Sequence, residues 1–166
     1  MEIWDLYDDE RKPLHRTGRR GDALAPGENH LVAEVWTVNG RGEILVTRRD
    51  DRKSPYPGKW ENTGGAVTAG EDTRIAAARE LFEETGIRAA ADELAYLGGY
   101  RVPNVFADVY LLKRDVALCD LTMQPGETVE AKWVSLAELE AIRMSGELAF
   151  PTRERLKFIE DVLEQR

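Results

Sequence analysis

The stretch GGAVTAGEDTRIAAARELFEETGI, residues 64–87, sets one strong helix former between two glycine-bearing loops. The run from Glu71 to Thr85 predicts a helix, with Gly86 where a left-handed residue commonly ends one. Strand-like segments lie on both sides of this helix, so it is expected to pack against a sheet. EIWDLYD (residues 2–8) alternates Ile3, Asp5 and Tyr7 against Trp4 and Leu6, a strand pattern followed by a turn at DDERKP. HLVAEVWTV and EILVTRR predict a hairpin from Leu31 to Arg49 around Asn39-Gly40. DDRKSPYPGKWENTGG predicts a loop with a short strand near Trp60. HRTGRRGDALAPGEN is polar and glycine-rich and reads as a loop.

Beyond the helix, ELAYLGGYRV and VFADVYLLKR predict two strands joined through Pro103-Asn104, and TVEAKWVS a further one. Ser135 with Glu138 forms a capping box that opens a helix to about Met144. A last helix begins at Pro151-Thr152 and carries Leu156, Ile159 and Leu163 on one stripe. Strands on both sides of one helix, with helices at the end, indicate a mixed α/β/α or α+β domain. The 166 residues fit one domain, 1–166, with 1–30 as a strand and loop extension.

Composition narrows the function classes. Apolar residues make up 42% of the chain and charged ones 33%, mixed in sign, which suits a folded domain rather than a polyelectrolyte. A net charge of −8 opposes nucleic acid polymers and anionic membranes as partners, but not a phosphorylated small molecule that meets local cations or a metal ion. The single cysteine, Cys119, rules out an internal disulfide and a cysteine-rich zinc site. No apolar run approaches the roughly 18 residues of a membrane span. The acidic start MEIWDLYDDE lacks the pattern of a secretory signal. The expected setting is cytoplasmic.

Winding the helix at about 3.6 residues per turn puts Ile75, Ala78 and Phe82 on one face, with Leu81 at its margin. That face is expected to pack on the sheet. Glu80, Glu83 and Glu84 fall on the opposite face, three and four residues apart, with Arg79 placed to brace Glu83. Taken alone, such a cluster suits a solvated helix face as well as it suits Mg²⁺ or Mn²⁺, which take carboxylates, a carbonyl and waters.

The wider spacing separates these readings. Gly65, Glu71, Arg79-Glu80-Leu81, Glu83-Glu84 and Gly86-Ile87 resemble the complete Nudix box, matching nine positions over 23 residues without a departure. PGKWENTGG resembles the usual lead-in, EAKWVSLAEL the usual strand–helix exit, and the likeness runs from Leu31 to Leu139. It implies the Nudix fold, a mixed β-sheet sandwiched between helices. It also implies Mg²⁺- or Mn²⁺-dependent hydrolysis of a nucleoside diphosphate linked to another moiety. By the same resemblance Glu80 and Glu84 are principal metal ligands, and Glu83 shares the metal or polarises water. The Gly64 carbonyl completes the site, Arg79 orients the glutamates, and Glu71 supports the loop. The general base is a glutamate C-terminal to the box, Glu127 or Glu130, or else Glu83 or Glu84.

Other residues admit two uses. Arg48, Arg49, Arg52 and Lys53 end the hairpin and either meet phosphate or balance Asp50 and Asp51. Trp36 and Trp60 either stack on a base or fill the core. Pro103, sixteen residues past the box, stands where ADP-ribose hydrolases of the family often carry proline. The N-terminal half resembles Nudix proteins related to isopentenyl-diphosphate isomerases, and His30 sits at a position that would suit a histidine of such an isomerase. The segment WENTGGAV, however, lacks their catalytic cysteine, and Cys119 does not replace it. The alternatives to hydrolysis are a nucleotide-binding sensor without turnover, opposed by the intact glutamates, and the isomerase. The N-terminal strand is a candidate homodimer contact.

Overall fold

The computed structural model describes residues 2–150 and 153–164. Among these residues, nine strands and three α-helices follow one another as β1 (Ile3–Tyr7), β2 (Pro13–Arg19), β3 (His30–Val38), β4 (Ile44–Arg49), β5 (Trp60–Glu61), β6 (Thr63–Ala66), α1 (Thr73–Thr85), β7 (Ala95–Val102), β8 (Val105–Lys113), β9 (Thr128–Val134), α2 (Leu136–Met144) and α3 (Arg153–Glu164). A seven-stranded mixed sheet runs β5-β4-β3-β8-β7, with β6 beside β3 and β9 beside β4. β3 and β8 are parallel, and the other pairings are antiparallel.

Side-chain alternation along β3 and β8 explains the layers. Leu31, Ala33, Val35, Tyr110 and Leu112 pack with Ala76, Ala77 and Leu81 of α1. Trp36, Val38, Val109 and Leu111 pack on the other face with Leu139 of α2 and Leu156 and Ile159 of α3. The sheet is therefore sandwiched between helices, as the sequence implied. Among the described residues no helix is long and apolar enough to cross a membrane.

Several expectations need correcting. β3 and β4 pair only at Val38 and Ile44, next to their turn. The strands then diverge and the segment of β5 and β6 fills the gap, β5 against β4 and β6 against β3. The polar region expected to be a loop contains β2, paired with β1. β2 buries only Gly18, so no apolar alternation marks it. Helix α1 starts later than expected, because Asp72 caps it by accepting from the backbone N–H groups of Arg74 and Ile75, both at 2.9 Å. Pro151 and Thr152, expected to open the last helix, lie outside the described residues.

The largest correction concerns which face of α1 turns inward. Ile75 is 51% exposed and Phe82 41%, whereas Ala76, Ala77, Leu81 and Glu84 are buried. The periodicity holds but the phase is reversed. The small side chains of Ala76 and Ala77 let the helix approach the sheet closely, which carries Glu80 and Glu84 against β6. Phe82, left outside, lies under the Arg88 guanidinium, 4.2 Å from its ring centroid.

Candidate active site

The inward face of α1 borders a cavity of about 450 Å³. Its lining brings together Gly64, Glu80, Glu83 and Glu84 with Arg79 and Glu127, residues that come from β6, α1 and the loop before β9. Lys53 reaches it from the loop after β4. Glu130 is exposed and opposes Arg48 across the β4–β9 ladder, away from this lining.

Arg79 organises the cavity wall. Its Nε and Nη2 donate to the Glu71 carboxylate at 3.0 and 2.9 Å, and Nη2 also donates to the Ala66 carbonyl. Nη1 donates to Glu80 at 2.6 Å and to Glu83 at 3.3 Å. Glu71 is fixed in turn by the Thr68 backbone N–H and hydroxyl. One guanidinium thereby ties the loop before the helix to two of the three clustered glutamates.

A Cβ at Gly65 would run into the Glu80 carboxylate, so a side chain here displaces Glu80 from its place against β6. Glu84 is only 2% exposed. Burial raises its pKa well above the ordinary carboxylate range, reinforced by the neighbouring Glu61 charge and opposed by Lys53. The Lys53 ammonium stands 3.7 Å from Glu84 and also pairs with Glu127. Burial likewise raises the pKa of Glu80, against the pull of Arg79.

Five carboxylates and three cations line this cavity. A diphosphate entering it meets excess negative charge, so the lining suits an anion accompanied by a divalent cation. The donors are of the right kind: hard carboxylate oxygens beside the glycine-rich backbone of β6. They are not drawn to one point, and among the described residues no three acidic, imidazole or thiol groups form a ready cage. Glu80 and Glu83 are turned toward Arg79, so gathering them around a cation requires side-chain rotation, which the 41% exposure of the Glu83 side chain permits.

A second cavity of about 250 Å³ opens beside the first and shares Arg20, Lys53 and Gly64–Ala66 with it. Its walls are largely apolar, with Val32, Val102, Val105, Ala107 and Phe150. Two buried ion pairs support it, Arg155–Glu34 and Arg49–Glu61, both at 2.8 Å.

The profile of the NUDIX domain matches residues 28–155. The chain belongs to the Nudix family. It is 38% identical over 148 residues to a Nudix hydrolase of Listeria monocytogenes, covering 89% of this chain and 88% of that protein. It is 30% identical over 154 residues to an isopentenyl-diphosphate Δ-isomerase of Brevibacterium linens, covering 85% and 81%. In fold it matches a crystal structure of a Deinococcus radiodurans protein with a TM-score of 0.77 at 23% identity, covering 96% of this chain and 98% of that one. As a Nudix hydrolase it acts on phosphorus-containing acid anhydrides.

The remaining sequence candidates divide cleanly. Of the four hairpin cations only Lys53 lines the acidic cavity. Arg49 is buried against Glu61 and the Pro55 and Tyr56 carbonyls, Arg48 meets Asp51 and Gly58, and Arg52 meets Asp50. Trp36 is a core residue, and Trp60 packs against the same cluster under Lys132. Pro103 is exposed in the β7–β8 turn and lines neither cavity. Cys119 is exposed and lies outside both linings. His30 lines the first cavity, stacked on Trp4 at 4.1 Å. Sequence reasoning missed Glu2, Trp4 and Arg20 as cavity residues, because they belong to a hairpin whose second strand has no apolar signature.

Proposed function

We propose that the chain is a Mg²⁺- or Mn²⁺-dependent pyrophosphohydrolase that cleaves a nucleoside diphosphate linked to another moiety. The observation that carries this reading is the inward turn of the α1 carboxylates, with Glu84 buried at the base of an acidic cavity. A solvated-face role for Glu84 does not fit that burial. Glu80, Glu83, Glu84 and the Gly64 carbonyl are assigned as the residues that would hold the cation. When bound, such a cation neutralises diphosphate charge and lowers the pKa of a water.

The chain's own groups account for the rest. Arg79 fixes the Glu80 and Glu83 carboxylates, and Glu71 fixes Arg79. Glu127, held by Lys53 at the cavity edge, is assigned as the general base that takes a proton from the attacking water. Lys53 also offsets part of the Glu84 charge. The group attached to the diphosphate is assigned to the second, largely apolar cavity. The partner is a small molecule, and the acidic lining disfavours a nucleic acid polymer. The isomerase reading lacks its chemistry, since neither cavity lining contains a cysteine.

A panel of about thirty diphosphate compounds, isopentenyl diphosphate among them, incubated with Mg²⁺ or Mn²⁺ tests this reading. Cleavage at a phosphoric anhydride bond of at least one nucleoside compound is expected, with no isomerised isopentenyl product. Alkene isomerisation without phosphate or nucleotide release would contradict it.

A further inference from the structure

The family match begins at residue 28, yet the two cavities meet at a cation that precedes it, Arg20 in the turn just after β2. Arg20 and Lys53 are the cations common to both linings. Lys53 is already engaged by Glu84 and Glu127. Arg20 makes one side-chain contact among the described residues, from Nη1 to Glu2 Oε2 at 2.9 Å, and its side chain is 60% exposed. Most of its five N–H donors therefore have no acceptor among the described residues.

The base of this side chain is held in place. The Arg20 N–H donates to the Glu2 carbonyl at 3.0 Å, closing the β1–β2 hairpin. The hairpin is tied to the loop before α1, with the Ala69 N–H donating to the Ile3 carbonyl and the Gly70 N–H to Asp5. At its far end Arg11 grips Asp108 of β8 through two bonds, at 2.8 and 2.6 Å. Tyr7 and Asn29 exchange backbone hydrogen bonds at 2.8 Å. Glu2, which restrains the Arg20 guanidinium, is itself oriented by the Trp4 indole N–H at 3.2 Å. A guanidinium with free donors, on an anchored hairpin, at the seam between an acidic cavity and an apolar one, is placed to bind an anion spanning both.

We propose that Arg20 is a substrate-binding residue that grips the phosphate carrying the organic group, and that Glu2 restrains it when no substrate is bound. The assignment rests on the hydrolase reading above and extends it to a segment outside the family domain. A guanidinium suits this task because it donates two parallel hydrogen bonds to a phosphate. Exchange of Glu2 for phosphate replaces one charge-assisted contact by another, which tunes affinity and orients the diphosphate along the seam.

The test measures two quantities on wild type, Arg20→Ala, Arg20→Lys, Glu2→Gln and the Arg20→Ala/Glu2→Gln double variant. One is KM for a hydrolysed substrate, and the other is the Kd of methylenediphosphonate with Mg²⁺, a probe that needs no turnover. Arg20→Ala is expected to raise both by about 10–100-fold, with a much smaller change in kcat, as loss of a charge-assisted hydrogen bond implies. Arg20→Lys recovers part of the loss. Glu2→Gln lowers both constants several-fold, and that gain shrinks in the Arg20→Ala background. The thermal midpoint of Arg20→Ala stays near wild type, because an exposed pair contributes little to stability. Wild type that binds methylenediphosphonate no better than Arg20→Ala overturns the proposal. Wild type that binds the probe in an Arg20-dependent way but hydrolyses no anhydride leaves Arg20 assigned and refutes the hydrolase reading instead.

Discussion

Glu84→Gln lowers turnover by at least ~10³-fold while the folded protein becomes no less stable in the absence of divalent cations. The two effects have one cause. Glu84 is buried, its burial pushes its pKa well up, and the Lys53 ammonium that faces it is 3.7 Å away. A carboxylate so placed costs stability when ionised and is kept for what it binds. Glutamine preserves the shape and removes the charge. The sign of the pH dependence follows from the raised pKa. The folded chain favours the protonated form, so ionisation destabilises it as pH rises above 4.5, the ordinary glutamate value. The advantage of the Glu84→Gln variant in metal-free buffer therefore grows as pH rises above 4.5 and disappears below it. Thermal unfolding in EDTA from pH 4 to 8, with turnover measured alongside, checks both halves. A variant that unfolds at lower temperature at pH 8 than wild type would show Glu84 to be a structural residue.

Arg155→Met destabilises the chain by about 3–5 kcal/mol, the usual cost of breaking one side of a buried ion pair. Arg155 of α3 and Glu34 of β3 are 2.8 Å apart, with side chains 6% and 7% exposed. Arg155 also donates to the Ala149 carbonyl at 3.2 Å, and Glu34 accepts from the Tyr100 hydroxyl at 2.6 Å. Without the guanidinium, Glu34 is left in the core with only a phenol and the Asn62 amide as side-chain donors. Urea unfolding is expected to show the loss. Glu34→Gln combined with Arg155→Met is expected to recover much of it, since no unpaired charge remains. Equal stability of the single and double variants would mean that the pair is not the origin of the loss. Glu34 stands opposite Gly64 in the β3–β6 register, so the same change is expected to lower activity as well.

The features legible in the sequence are those fixed by local spacing. The capping box at Ser135 and Glu138, the stop at Gly86, and the strands on either side of Pro103-Asn104 all formed where their residues placed them. The grouping of Glu80, Glu83 and Glu84 followed from helical periodicity, but the direction in which they face did not. Orientation depends on what the sheet can accept. Two adjacent alanines allow close approach, whereas Ile75 and Phe82, the apparent apolar stripe, are left at the surface. The short strand expected near Trp60 is β5, but the splayed β3–β4 hairpin was hidden, because β6, four residues with two glycines, shows no strand period. β2 is held by backbone pairing to β1 and by an ion pair from Arg16 to Glu28, so its composition reads as a loop. Lys53 was one of four equivalent cations in sequence, and only the folded loop singles it out.

The central claim is that the inward carboxylates of α1 serve anhydride hydrolysis by holding a divalent cation. Turnover of one accepted diphosphate substrate, followed through EDTA treatment and then Mg²⁺ or Mn²⁺ titration, tests it most directly. The account predicts loss of activity with EDTA and saturable recovery with either cation in wild type, and no comparable recovery in Glu84→Gln. Hydrolysis that persists in EDTA, or recovery in Glu84→Gln matching wild type, would contradict it.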